Sequence, residues 1–414
     1  MYAAIAGLKT HMQNLNVIGN NIANVNTYGY KASRAVFKTS LYTTLSGGSN
    51  GTTVMGGTNP SQIGYGATVS SVDVDMSSGN YAVTGKNTDL MLDGDGFFLV
   101  GSKEIAMSFN GKIDDVSMLT ALTLTRVGNF EFRADGYLAK EDGNCVYGFL
   151  CTGIVTKEML DKEPGKYPGM KEGDPIFSDQ LVPIRFPRVR TAYFRADGTE
   201  VTDENLIWKD KANGELNDGI TEGLAIAYPT TTITNGTTEI TDNKHLYDAG
   251  YDQGLEDSVL PQARFTGISF DPNTGIITAT SSDTEQIVTI GCIAVGTVTN
   301  PNGVTNLGDN YYKAGDGSGT LSVSIIGGNA RKMGISQVNK SLLPDSVTDE
   351  DANVYGLTIY SSASHIISNG LEMSKTDLAQ EIASMILTQR GYQANTRIIT
   401  VTDAMLEELV NIKR

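Results

Sequence analysis

The residues best spaced to do chemistry are Asp93-Gly94-Asp95-Gly96, with Glu104 eleven positions after Asp93. Alternating carboxylates closed by a glutamate are how a calcium loop supplies oxygen ligands. Here Phe97 and Phe98 stand where a further ligand and the turn glycine are needed, so the run reads as a hairpin turn. His11, His245 and His365 are the only histidines, and none has a partner at metal-ligand spacing. Cys145, Cys151 and Cys292 form an odd set without zinc spacing; they read as buried single thiols and not as a disulfide scaffold. No Gly-x-Ser-x-Gly elbow, phosphate loop or His-Glu-x-x-His helix is present. The single Trp208 and scattered acids give neither a sugar platform nor a carboxylate pair. Two Arg-Ala-Asp-Gly runs, at 133–136 and 195–198, read as related turns. The expectation is a protein without catalytic residues, cofactor or bound metal: not an enzyme.

Charge narrows the partners. The 414 residues carry a net charge of −16, which argues against nucleic acid and anionic membrane, since both need a basic face. Hydrophobic residues make up 40% of the chain, enough for real cores, and the 46 glycines point to many turns and a β-rich fold. No basic residue precedes Lys9 and polar helical sequence follows, so the start does not fit a cleavable signal peptide. No apolar run approaches the ~18 residues of a membrane span.

The strongest periodicity lies at the two ends. Ile5, Leu8, Met12, Leu15, Ile18 and Ile22 recur at steps of three and four in a proline-free stretch, one face of a helix. That helix should end at Asn24–Gly29, where Asn26 and Gly29 can take left-handed conformations. At the other end Leu371, Leu378, Met385, Tyr392, Ile399 and Leu406 recur every seven residues, with Ser374 and Asp377 resembling a capping box. The row beside this stripe is polar: Glu381, Thr388, Asn395 and Thr402. A two-stranded coiled coil wants apolar residues there, so the pattern suits a helix packed among several, with hydrogen bonds setting register. Gly391 costs about 1 kcal/mol inside a helix, which points to a close approach by a neighbouring backbone.

Between the helices β signals dominate. Residues 31–70, with Gly47-Gly48-Ser49-Asn50-Gly51 and Gly56-Gly57, read as an extended connector. Leu90–Leu92 and Phe97–Val100 flank the Asp93–Gly96 turn, Phe130–Phe132 and Tyr137-Leu138 flank Asp135-Gly136, and Phe270 and Ile276-Ile277 flank Asp271–Gly275. Residues 156–262 shift in composition, with a Lys/Glu/Pro-rich 157–175 and a Thr-rich 229–241, and read as an inserted outer β domain.

Ala23-Asn24-Val25-Asn26-Thr27-Tyr28-Gly29-Tyr30-Lys31, preceded by Leu15-Asn16-Val17-Ile18-Gly19-Asn20-Asn21-Ile22, resembles the signature of the flagellar rod and hook protein family. Leu371-Glu372, Asp377-Leu378-Ala379, Gln389-Arg390-Gly391-Tyr392-Gln393-Ala394-Asn395, Asp403 and Met405-Leu406 resemble the family's C-terminal helix. Gly94-Asp95-Gly96-Phe97-Phe98 and Ile293–Tyr312 resemble its first β domain, while Lys375-Thr376 departs from the usual Asn-Val pair.

The resemblance implies an α+β fold in which terminal α-helices pair as a coiled-coil-like domain, with two mainly antiparallel β domains inserted between them. Its expected parts are 1–30 with 370–414 as the polymerisation domain, 31–70 as connector, 71–155 with 263–369 as the first β domain, and 156–262 as the outer one. The length, with a second β domain, places the chain nearer a hook subunit than a distal rod subunit; an extracellular β-rich binding protein is the more distant alternative. The implied role is a hollow, flexible tube of identical subunits that passes torque from rod to filament. The residues expected to carry polymerisation are Ile5, Leu8, Met12, Leu15, Ile22, Asn24, Asn26, Thr27, Gly29, Leu378, Met385, Gln389, Tyr392, Asn395, Ile399 and Leu406. The implied partners are further copies of the chain, a hook cap protein, the distal rod protein, hook–filament junction proteins and the flagellar type III export apparatus. The helices are expected to fold fully only on joining the tube, since most helix stability in water comes from packing an apolar face.

Overall fold

The computed structural model describes residues 2–51, 55–102, 107–108, 122–162, 171–196, 200–201, 204–210, 215–227, 264–282, 286–315, 317–319, 321–326, 361–362 and 364–412. The chain divides into two units, Met1–Asn80 with Met373–Arg414, and Tyr81–Glu372.

The first unit holds two long helices, α1 (Tyr2–Ala23) and α2 (Leu378–Ile412). α1 stops where expected. The Asn24 side-chain amide folds back on the Asn20 carbonyl at 2.9 Å, the Thr27 N–H reaches the Asn24 carbonyl, and Gly29 takes φ +66°. Asn26 is not left-handed; glycine alone carries that conformation here, because it has no Cβ to clash. α2 begins later than the capping-box reading has it. Asp377 is itself the cap, its Oδ1 accepting the N–H groups of Ala379 (2.9 Å) and Gln380 (3.2 Å), while Ser374 is spent on Thr376. Leu371, the first member of the seven-residue stripe, is buried in a strand outside the helix.

The segment expected as an extended connector is folded into two antiparallel ladders. β1 (Ser33–Thr39) pairs with β4 (Ala67–Val74), from Ser33 opposite Val74 to Thr39 opposite Ala67 with a bulge at Val36/Phe37. β2 (Tyr42–Ser46) pairs with β3 (Ser61–Gly64). The glycines that suggested a loose linker gather at the far tip, while the Val, Phe and Thr residues that favour strands form the stem. The ladder therefore runs past 70, and the unit ends at Asn80.

The second unit is built on one large sheet, mainly antiparallel, of fourteen strands among the described residues. Its core is Leu90, Leu92, Phe98, Phe130, Ile293 and Val295, with Phe98 and Phe130 edge-to-face at 5.1 Å. Gly94 and Gly96 take φ +108° and +123°, and a Cβ on Gly96 would lie 2.4 Å from Val295. The turn they make is not a hairpin. Strand Leu90–Asp93 pairs with His365–Ser368, whereas Phe97–Gly101 pairs with Thr123–Thr125, Cys145–Ile154 and Ile287–Val298. The other two turns do close hairpins, Phe130–Phe132 with Leu138–Lys140 and Phe265–Phe270 with Ile276–Ser281.

The inserted segment is shorter than composition suggests. Pro175–Pro183 pairs with Cys145–Ile154 and so belongs to the large sheet. A separate three-stranded sheet, Arg188–Arg195 between Glu200–Val201 and Ile220–Ala227, carries the module, with Tyr193 and Trp208 edge-to-face at 5.2 Å. The Thr-rich 229–241, His245 and Glu104 lie outside the described residues.

Candidate functional site: the paired terminal helices

α1 and α2 lie antiparallel within one chain. Four contacts fix their register. The Asn14 amide donates to Thr388 Oγ1 at 2.9 Å, and the Asn21 amide donates to Glu381 Oε1 at 2.9 Å. A Cβ on Gly7 would fall 2.7 Å from the Asn395 amide, and one on Gly391 would fall 2.8 Å from the His11 ring. In each pair the two residue numbers add to 402, as one unbroken register requires. The polar row of α2 is thus the seam against α1. Gly391 admits the His11 side chain, not the neighbouring backbone that the sequence suggested.

Asn21 closes the seam near the end of α1 and was not singled out by sequence. It is 1% exposed. Its amide also donates to the Ser33 carbonyl (2.8 Å), and its Oδ1 accepts the Ser33 N–H (2.9 Å) and the Tyr30 hydroxyl (3.0 Å). Helix α1, the chain turning out of it and helix α2 therefore meet at one side chain. Burial raises the Tyr30 phenol above its ordinary range; the Ser33 hydrogen bond works against this and the Glu381 charge adds to it. Thr10 ties the same helix to β4 through the Ala67 carbonyl at 2.8 Å, where Gly66 (φ +104°) lets the strand approach Ala3 and Ala6.

The residues expected to carry polymerisation fall into two groups around this seam. Met385, Tyr392, Asn395 and Ile399 on α2, and Leu8, Leu15 and Ile22 on α1, are half-buried. Asn24 and Thr27 are also half-buried and bonded to each other at 3.2 Å, and Gly29 is buried. These positions are packed within the unit. Ile5, Met12, Asn26, Leu378, Gln389 and Leu406 are exposed.

Further apolar residues outside the seven-residue stripe join the exposed group. Ile382 and Ile386 continue from Leu378 in steps of four along one side of α2. Ile398, Val401, Met405, Leu409 and Ile412 step by three and four along another, with Ile412 81% exposed. Carrying the register of 402 to Tyr2 reaches Thr400, so 403–412 run past the start of α1. Exposed apolar patches of this kind occur where proteins bind partners, membranes or ligands. No helix among the described residues is long and apolar enough to cross a membrane. Among the described residues no group of three or more His, Cys, Asp or Glu is placed to hold a metal ion.

Comparison with known proteins meets this geometry at the same two places. Residues 1–31 match the family model for the flagella basal body rod protein, and residues 367–412 match that for the flagellar basal body rod FlgEFG protein C-terminal region. The flagellar hook protein FlgE of Borreliella burgdorferi is 27% identical, over 100% of this chain and 99% of that protein. The flagellar basal-body rod protein FlgG of Bacillus subtilis is 26% identical over 100% and 98%, and the hook protein FlgE of Treponema pallidum 22% over 100% and 99%. Family models match both paired helices and relatives run the full length of the chain, so the similarity to flagellar rod and hook proteins extends from end to end.

Proposed function

We propose that the chain is the structural subunit of a flagellar hook, a helical homopolymer that forms a flexible tube. The carrying observation is that α2 uses a polar face to hold its own α1 and keeps two apolar stripes exposed. One helix thus offers separate faces to its own chain and to neighbouring copies. Repeated head-to-tail contacts of that kind do not close and so build a filament. The full-length similarity to hook proteins supports the same reading. In the tube the exposed stripes are covered by further copies, the inner helices hold the wall, and the two β domains slide on polar surfaces as it bends. Export through the flagellar type III apparatus, assembly under a cap protein, and junctions with the distal rod and the filament belong to this reading, as does an extracellular location.

A distal rod subunit is the second reading, favoured by the nearly equal identity to the rod protein FlgG. Electron microscopy of the full-length chain beside a form lacking 1–30 and 371–414 tests both. Bendable, supercoiled tubes from the full chain alone support the hook, and straight stiff tubes support the rod. Tubes from both forms would move the assembly contacts to the β domains, and a stable monomer that never assembles at high concentration counts against both.

A further inference from the structure

The Asp93–Gly96 turn, which resembles a cation loop, does meet a cation, and it is Arg126. This side chain is 1% exposed. Its Nη1 donates to the Leu92 carbonyl at 3.1 Å and its Nη2 to the Gly94 carbonyl at 2.8 Å, so one guanidinium reads both sides of the turn. The group lies 5.5 Å from the centre of the Phe97 ring, and Nη1 stands 3.8 Å from Glu372 Oε2, on a side chain also 1% exposed. Burial pushes the Arg126 guanidinium down, and the Glu372 carboxylate is first among the charges that oppose it.

Glu372 is the last residue of the β unit. It ends the strand Gly370–Glu372, which among the described residues pairs with Tyr81–Val83 alone, Glu372 facing Tyr81. Both passages of the chain between the two units, Asn80 to Tyr81 and Glu372 to Met373, adjoin this short ribbon. Two strands of three residues are weak by themselves. A buried ion pair adds little stability over well-packed apolar residues of the same shape, yet it is costly to break from one side. It is therefore poorly explained as a source of stability and well explained as a means of fixing position. Arginine suits that task because its planar fork sets direction as well as charge.

We propose that Arg126 and Glu372 form a positional lock that fixes where, and in which direction, the chain leaves the β unit. In the tube, load carried by the helices enters the β unit at this fixed point; that consequence rests on the hook reading.

Amide hydrogen exchange on the full-length chain tests the lock without any assembly. Glu372→Gln should speed exchange at the amides of 81–83 and 370–372 at least tenfold, with 145–154 and 287–298 unchanged. A uniform change across the unit, or none, overturns the proposal. The double variant Arg126→Met with Glu372→Leu separates position from stability. Recovery of the unfolding midpoint while the ribbon still exchanges quickly supports the lock, and recovery of both shows the pair to be filler. For the consequence, tubes of Glu372→Gln should twist at least twofold more easily than parental tubes, and equal stiffness overturns it. Failure of the parental chain to form tubes would count against the hook reading, while the exchange result would still decide the lock.

Discussion

Asn21 and Glu381 stand 360 positions apart in the chain and are joined by a 2.9 Å hydrogen bond between two helices. The same asparagine holds both polar backbone groups of Ser33 and the Tyr30 hydroxyl. Asn21→Ala takes the partner from one buried group, the Tyr30 hydroxyl, and from several half-buried ones, at a cost of roughly 1–3 kcal/mol for a buried group left unsatisfied. The expected result is a lower urea midpoint for loss of helical circular dichroism, larger than any loss for Asn26→Ala, whose side chain is exposed.

Asn14 and Thr388 make the simpler contact, and it can be isolated. A double-mutant cycle with Asn14→Ala and Thr388→Ala should return a coupling of about 0.5–1.5 kcal/mol in denaturant unfolding. Coupling near zero would mean that the polar seam does not set the register.

Leu378 and Ile399 belong to the same seven-residue stripe but sit differently, so aspartate at each should fail differently. Leu378 is 44% exposed, and Leu378→Asp should leave the monomer within about 0.5 kcal/mol of the parental chain while abolishing tubes. Ile399 is half-buried, and Ile399→Asp should lose both helix pairing and assembly. Circular dichroism and sedimentation, run side by side, separate the two outcomes.

The cysteines give a test of the β unit. All three thiols are buried and none is joined in a disulfide, and burial pushes Cys151 up to about 12 and Cys292 higher still. A thiolate is the reactive form, so a thiol reagent at pH 8 should label Cys151 and Cys292 in the folded chain orders of magnitude more slowly than after unfolding. Fast labelling of either in the native protein would contradict the packing of strands Cys145–Ile154 and Ile287–Val298.

Acid should weaken one surface contact in a defined direction. Burial raises Asp142, but hydrogen bonds from Tyr311 and Asn144 and the Lys140 charge outweigh it and hold the carboxyl below its ordinary range. A depressed carboxyl contributes stability above its unfolded pKa, and that contribution is lost as pH falls through the lower folded value. Asp142→Asn should therefore reduce stability near neutral pH and flatten the decline below about pH 4.

Much of this was legible in the sequence because periodicity reports which faces are buried. The helices at both ends, the polar row Glu381–Thr388–Asn395, and the hairpins at Asp135-Gly136 and Asp271–Gly275 are local patterns with local causes. What escaped was set by pairing at long range. Nothing near Asp93–Gly96 tells that its flanking strands pair elsewhere, with His365–Ser368 on one side and Ile287–Val298 on the other. Nor does composition show that residues 33–74 bend back on themselves, since β1 finds β4 across the glycine-rich stretch that suggested a linker. Asn21 and Arg126 were missed for a related reason. A single buried polar side chain has no period, and its weight comes from partners far along the chain.

The seven-residue spacing of the seam leaves the helices a choice that one glycine settles. Sliding α2 by seven residues, roughly 10 Å, in one direction sets Asn14 against Asn395 and Asn21 against Thr388, pairs equally able to hydrogen-bond. That shift drives the His11 ring from Gly391 onto Ile398. The opposite shift strips Glu381 from Asn21. Gly391 thus works as the notch of a detent, with a stop on either side, and filling it would turn a single-valued pairing into one with competing settings.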